Sequence, residues 1–415
     1  MSSPKTIEYR KLDNGLTLIF EPMPGVKSAA MSWLFPVGSA ADPAGAEGAA
    51  TLLSEWVLRG AGDLDARGHS EALDRLGVQR ACRVEGYHTR LSATMIGTRT
   101  IEALPLLTDI VLRPQLTDDH LEPARDLALQ ALDSLKDEPQ HRVMLNLKKE
   151  HFPPPFDRSG MGTIDDITSV TADTLRSHWL NRAVPTGSTL GFAGDIDPDA
   201  ITATLNELLT DWHGSTSEPE PTDDPTRQYV HEPEESAQTH IAVAHDAPPE
   251  PDDDSILQRV ATAALSGGMA GRLFTEVREK RSLCYSVSAS YAAGRDRGAI
   301  LAYVGTTPKR AQEANDVLIE QLGLMAQGID EDEFARAVVG LKSRLVMHGE
   351  STAARAAALV HDHFVVGRAR SLDELAARLE AVTLPQINDF LAAHPAEIYT
   401  TCSIGPDPLK SIVSQ

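Results

Sequence analysis

A near-constant offset of 211–213 residues constrains this chain more than any other feature. Leu116-Thr-Asp-Asp-His-Leu-Glu-Pro-Ala-Arg125 returns as Ile329-Asp-Glu-Asp-Glu-Phe-Ala-Arg336, pairing Leu121 with Phe334 at an offset of 213. Gly194 closes one apolar strand pattern and Gly405 another, at an offset of 211. Helical Glu71-Ala-Leu-Asp-Arg-Leu76 matches Phe274-Thr-Glu-Val-Arg-Glu279, and each leads into strands. Similar spacing across two halves marks a duplicated unit.

Within the first half, residues 7–22 alternate apolar and polar around Asn14-Gly15, a hairpin signal, because that dipeptide supplies the positive φ of a tight turn. A third strand is expected over 26–36 and a helix over 45–58. Strands are expected at 78–84 and 87–96, and helices at 99–112, 117–136 and 140–151. Residues 213–236 are rich in Ser, Pro, Thr, Asp and Glu and nearly free of aliphatics, which reads as a connecting segment. The expected organisation is an α+β domain over 1–214, an acidic linker over 215–228 and a second α+β domain over 229–415. Each domain should hold a mostly antiparallel sheet with helices packed on one face.

Composition narrows the function. Sixty acidic residues against 38 basic ones give a net charge of -22, which repels phosphate and argues against nucleic acid and anionic membrane as partners. No apolar run approaches the ~20 residues of a membrane span, and the first ten residues lack a signal-peptide core. Cys82, Cys284 and Cys402 match no zinc or redox spacing and read as thiols of a reducing compartment, so a cytoplasmic location is expected.

Three motifs then carry a resemblance. They are Leu12-Asp-Asn-Gly-Leu-Thr-Leu-Ile19, Gly38-Ser-Ala-Ala-Asp-Pro43 with a helix ending in Leu58-Arg-Gly60, and the run Leu265-Ser-Gly-Gly-Met-Ala-Gly-Arg-Leu-Phe-Thr-Glu-Val-Arg-Glu-Lys-Arg-Ser-Leu-Cys-Tyr285. In order and over almost the whole chain, the sequence resembles the pitrilysin/insulinase-like zinc metallopeptidases, in particular the mitochondrial processing peptidase-like subfamily. The resemblance implies two homologous repeat domains forming half of a clamshell chamber.

Active members of that family carry H-x-x-E-H, two zinc-binding histidines on one helix face with a glutamate as general base. Counting back from Gly60, the matching positions here are Thr51, Ser54 and Glu55. The third ligand, counted back from Asp137-Glu-Pro139, falls on Ala131. A lone carboxylate at Glu55 does not hold zinc, and no other histidine pair has ligand spacing, so no metal is expected in this chain. Arg278 and Tyr285 do match the family's Arg/Tyr element, which the resemblance assigns to gripping the substrate carbonyl and stabilising the oxyanion. A permanent cation with a donor fork and a neutral phenol suit that task. A structural arginine and a packed strand-start tyrosine is the plainer reading of the same pair. The turn holding Gly267, Gly268 and Gly271 lacks the Lys-Ser/Thr of a phosphate loop. It resembles the family's glycine-rich segment, which guides peptide, and reads equally as a connector.

The expected function is therefore a non-catalytic, substrate-binding subunit. A homologous H-x-x-E-H partner would supply zinc, the substrate would be peptide, and the isolated chain is left as a monomer or a homodimer. Two alternatives stay open: a scaffold or binding protein of this fold, and the companion chain of a cofactor-maturation protease pair.

Overall fold

The computed structural model describes residues 7–410. The first half begins with β1 (Glu8–Lys11) and β2 (Thr17–Pro22), joined through the Asn14-Gly15 turn, where Gly15 has a φ of +91°. Next come β3 (Ser28–Phe35), α1 (Ala49–Trp56), a two-residue ribbon of β4 (Gly60–Ala61) and β5 (Leu64–Asp65), and α2 (Ala66–Arg75). β6 (Gln79–Val84) and β7 (Thr89–Ile96) precede α3 (Thr100–Leu112), α4 (Asp118–Ser134), α5 (Pro139–His151), α6 (Ile164–Ser169) and α7 (Ala172–Arg182). β8 (Thr189–Gly194) and α8 (Pro198–Leu208) close it.

The second half follows the same order. β9 (Val230–Pro233) and β10 (Thr239–Ala247) lead to α9 (Ser255–Ser266), then a π-helical turn (Phe274–Glu279), β11 (Ser286–Ala293) and β12 (Gly298–Thr306). α10 (Ala311–Leu324), α11 (Glu331–Gly349), α12 (Thr352–Val366), α13 (Leu372–Glu380), α14 (Leu384–Ala393) and β13 (Thr400–Gly405) complete it.

The two sheets share a topology. One has the order β1-β2-β8-β3-β7-β6 and the other β11-β12-β10-β13-β9. In each, the last strand of the half inserts between two earlier strands and runs parallel to one of them, β8 to β2 and β13 to β9, while every other pairing in the two sheets is antiparallel. Thr400 of β13 lies 211 positions after Thr189 of β8 (400 less 189). The duplicated α+β fold with mostly antiparallel sheets is thus present. The segment 215–228 has neither helix nor strand, and is held at its ends by Ser217 O to Arg182 and Arg227 N to Glu150 O.

Strand alternation sorts side chains to two faces. On the first sheet Leu18, Phe20, Met31, Trp33 and Phe192 face the layer built by α1, α3, α7 and α8. Only 5% of residues are aromatic, yet all four tryptophans, Trp33, Trp56, Trp179 and Trp212, lie in this core. The interleaved residues Ile19, Ala30 and Ala193 pack on Ala356 and Leu359 of α12. On the second sheet the corresponding outer face, with Ala242, Ala244, Ala299 and Ile404, packs on Val143 and Leu147 of α5.

Each sheet therefore borrows one helix from the other half of the sequence. One compact unit gathers the chain up to Ser134, Pro154–Thr222 and His348–Ser371. The other gathers Leu135–Pro153, Asp223–Met347 and the chain from Leu372. This reciprocal cover on the second face is a feature that the helical periods of α5 and α12 do not reveal, because a period gives the width of an apolar stripe and not the sheet that receives it.

Within the first unit, α12 is fixed by sequence at both ends. Ser351 accepts the Ala354 N–H, and Gly367 ends the helix with a left-handed φ of +78°. Gly191 of β8 lets the helix come close, since a Cβ there would lie 2.8 Å from Val360 Cγ1. Arg355 of α12 donates from Nε and Nη2 to Glu21 Oε2 of β2 at 2.8 and 2.6 Å, with both side chains buried. Breaking a buried pair on one side strands a charge and costs ~3–5 kcal/mol, whereas replacing both members by apolar groups is often neutral. Arg355→Met should therefore lower the stability of the first unit by about that amount. The double variant Glu21→Leu/Arg355→Met should recover most of it. Denaturant-dependent hydrogen exchange across β2 and α12 measures both.

Candidate substrate-binding site

Arg278 sits near the end of the π-helical turn Phe274–Glu279, and Tyr285 directly precedes β11. Leu273, Val277 and Leu283 are buried and anchor the stretch in the core of the second unit. The Leu283 N–H reaches Val277 O at 3.0 Å and the Ser282 N–H reaches Arg278 O at 3.0 Å, so the chain folds back on itself. Ser282 takes a left-handed φ of +52° to allow this. Thr306 Oγ1 then donates to Leu283 O at 2.5 Å, and the Tyr285 N–H to Gly305 O at 3.1 Å, tying the fold-back to β12.

The result is a buried base with exposed tips. The Arg278 guanidinium lies over the Phe274 ring at 4.8 Å, a cation–π shelf one helical step away in sequence. Neither it nor the Tyr285 hydroxyl has a hydrogen-bond or ion-pair partner among the described residues. Nearby Glu276 does not quench the arginine, because its carboxylate already takes Lys280 at 2.6 Å and Arg281 at 2.7 Å. Those hydrogen bonds hold its pKa below the usual value. Tyr285 is 69% exposed. Cys284 between them is buried, and burial pushes its thiol up to about 11, partly offset by the charge of Arg278, so it is an inert neighbour.

Phe274 is the member of this group that sequence reading missed. Its spacing of four from Arg278 was the available signal, since residues four apart on a helical turn are neighbours.

The glycine-rich turn precedes this element. Gly267 caps α9, Gly268 has a φ of +148°, and the Gly271 N–H returns to Gly268 O at 2.9 Å. Ser266 Oγ accepts the Ala289 N–H of the end strand β11 at 2.8 Å.

The positions aligned with zinc ligands lie in the other unit. Thr51 Oγ1 donates to Gly160 O at 2.5 Å, and buried Ser54 Oγ donates to Thr51 O at 2.8 Å. Half-buried Glu55 has no hydrogen bond or ion pair among the described residues; its charge adds to the burial that pushes Cys82 up to about 12. Ala131 is exposed on α4. Among the described residues, no group of three or more His, Cys, Asp and Glu side chains is placed to hold a metal. No described helix is long and apolar enough to cross a membrane.

Comparison with known proteins agrees with the motifs. Residues 18–162 match the insulinase (peptidase family M16) model, and residues 169–341 match the peptidase M16 inactive domain. The chain belongs to the insulinase-like M16 peptidase family. An uncharacterized zinc protease of Mycobacterium tuberculosis is 26% identical, covering 97% of this chain and 94% of its own length. The uncharacterized zinc protease YmxG of Bacillus subtilis is 24% identical over 95% and 97%. The fold is shared with a peptidase M16 inactive domain from Pseudomonas fluorescens (TM-score 0.86, 19% identity, 98% of this chain and 99% of that one). A protease from Helicobacter pylori shares it too (TM-score 0.87, 17% identity, 97% and 100%).

Family membership implies zinc, but the residues present do not fit it. Zinc binds through imidazole, thiolate and carboxylate. Two of the four motif positions carry neutral hydroxyls already committed to backbone carbonyls, one carries a methyl group, and only Glu55 offers a ligand atom.

What starts the motif helix is Asp42, which sequence reading left in the Asp-Pro motif without a role. Its buried carboxylate accepts the N–H groups of Gly48 at 2.8 Å and Ala50 at 2.9 Å. Burial raises its pKa to about 7 against the pull of those donors and of Arg158. His178 lies 4.0 Å from it and is pushed down to about 4 by burial, hence neutral near pH 7. A folded-state pKa above the unfolded value of 3.8 means the proton binds the folded chain more tightly. That contribution is complete below the unfolded pKa and lost as pH rises through about 7. The protection of the α1 amides, read as exchange relative to an unstructured peptide at the same pH, should therefore fall across this window in the wild type. Asp42→Asn should flatten the pH dependence, and Asp42→Ala should cost ~1–2 kcal/mol throughout by removing the cap.

Proposed function

We propose that this chain is the non-catalytic, peptide-holding subunit of a heterodimeric zinc metallopeptidase, paired with a homologous chain that carries H-x-x-E-H. The observation behind this reading is the contrast between two sets of side chains. The hydroxyls at the degenerate metal positions are spent on internal bonds, whereas Arg278 and Tyr285 keep their donors exposed and unengaged. An arginine held on an aromatic shelf without a carboxylate partner, in a chain of net charge -22, has a function outside its own fold. In the pair, the Arg278 fork and the Tyr285 hydroxyl would donate to the carbonyl oxygen at the bond being cut and to the negative charge that grows there. Zinc and the general base would come from the partner. Three unpaired cysteines accord with a reducing compartment, and we place the pair in the cytoplasm. The isolated chain would be inactive, as a monomer or paired with itself.

Two outcomes follow. Elemental analysis of the dialysed chain should find no stoichiometric zinc, and no peptide should be cleaved; one zinc per chain with chelator-sensitive activity would refute the assignment. In the reconstituted pair, Arg278→Ala and Tyr285→Phe should each lower turnover of an unstructured peptide, by about 100- to 1000-fold for a lost oxyanion donor. Thermal melts and pairing should be unchanged. Arg278→Lys should rescue only in part, because an ammonium lacks the planar fork. Unaltered turnover in both variants would leave a scaffold of this fold as the correct reading.

A further inference from the structure

Within the second unit, the glycine-rich turn and α11 enclose a cavity of about 250 Å³. Ala264 and Ala337 line it with apolar surface, Met269 and Gly340 border it, and Arg336 and Arg344 supply charge. A Cβ on Gly340 would meet nothing within 4 Å, so the helix surface between the two arginines is open. The arginines are eight residues apart on α11, about 12 Å along the axis at 1.5 Å per residue. Neither has a hydrogen-bond or ion-pair partner among the described residues. Glu333 also borders the cavity, but Arg272 takes both its oxygens, at 2.9 and 2.6 Å, and cancels its charge.

The chemistry of the cavity selects its occupant. The turn lacks the Lys-Ser/Thr of a phosphate loop, and the positive charge facing the cavity comes from the two guanidinium groups. Guanidinium groups match a carboxylate in two-donor geometry, and the alanine and methionine surface suits the methylenes that carry it. The offset of 213 that pairs Phe334 with Leu121 also pairs Arg344 with Ala131 (344 less 131). The cavity is thus the second-half counterpart of the place where the first half has lost its third metal-ligand position. Long-range repulsion from the acidic surface does not forbid an acidic guest, since it is screened beyond about 8 Å at physiological ionic strength.

We propose that this cavity is a subsite for an acidic side chain of an extended peptide, its carboxylate held by Arg336 and Arg344. The assignment rests on the peptide-holding reading and names a substrate class for it: unfolded peptides with glutamate or aspartate at one fixed position.

Fluorescence anisotropy with the full chain tests it. The probe is a labelled, C-terminally amidated Gly/Ser/Leu peptide carrying glutamate, compared with its glutamine counterpart. A third peptide, with glutamine and a free C-terminal carboxylate, separates a side-chain ligand from a terminal one. The glutamate peptide should bind roughly 10- to 100-fold more tightly than either of the others, as expected for charge-assisted hydrogen bonds. Arg336→Gln/Arg344→Gln should bring that ratio to about one. Gly340→Leu, which fills the space and keeps both charges, should do the same. Arg278→Ala should weaken all the peptides alike and leave the ratio unchanged. A ratio near one in the wild type, a ratio that survives the double variant, or tight binding of the free-carboxylate peptide alone would each overturn the subsite while leaving the peptide-holding reading in place. Failure of every peptide to bind would overturn both.

Discussion

An open sheet whose central strands are buried at nearly every position has two faces to cover, and one layer of helices covers only one. Here the uncovered face of each sheet is closed by a single helix that the sequence supplies from the other half: α12 over β2, β3 and β8, and α5 over β10, β12 and β13. The outer-face residues are mostly small, Ala30 and Ala193 on one sheet and Ala242, Ala244 and Ala299 on the other. Small side chains bring a helix close and leave little room for error in its placement, which is why Gly191 and the buried Glu21–Arg355 pair matter. An ion pair at such a place contributes orientation more than net stability, because desolvation offsets much of its Coulomb energy.

That scaffold presents different chemistry from its two repeats. In the first unit the motif helix α1 has become structural. Asp42 caps it, Thr51 ties it to the Gly160 loop, and Ser54 bonds to its own preceding turn. Each motif hydroxyl is satisfied internally, so the helix needs no ion to complete its polar contacts. In the second unit the polar groups face outward instead. The π-helical turn, the Ser282 fold-back and the bonds to β12 hold Arg278 and Tyr285 at the ends of a buried loop with their donor groups unclaimed. Rigid support beneath exposed donors is what preorganised electrostatic stabilisation requires.

Much of this was legible in the chain itself. Strand and helix periods gave the elements over 7–22, 26–36, 78–96 and 99–151 to within a few residues, because half-buried elements must alternate at 2 or 3.6 residues. The repeat offset gave the duplicated domain, and the motif spacing located Arg278, Tyr285 and the four altered metal positions. The periods did not give the partners of α5 and α12. Nor did they give Phe274 as the shelf for Arg278, Asp42 as the cap of α1, or the convergence of Arg336 and Arg344 on the glycine-rich turn. Each of these depends on which groups meet across a long sequence separation.

Residue type and spacing fix the inventory of this protein: two copies of one α+β pattern, an Arg/Tyr element in the second, and no imidazole at the motif positions of the first. Those are properties of residue type and spacing, which survive without coordinates. Tertiary structure alone decided which polar groups are spent and which are free. An arginine is read identically in sequence whether a carboxylate neutralises it, as Glu333 does Arg272, or leaves it open, as at Arg278, Arg336 and Arg344. Satisfaction of a donor is a matter of distance and angle in the folded chain, and that geometry separates a site from a surface.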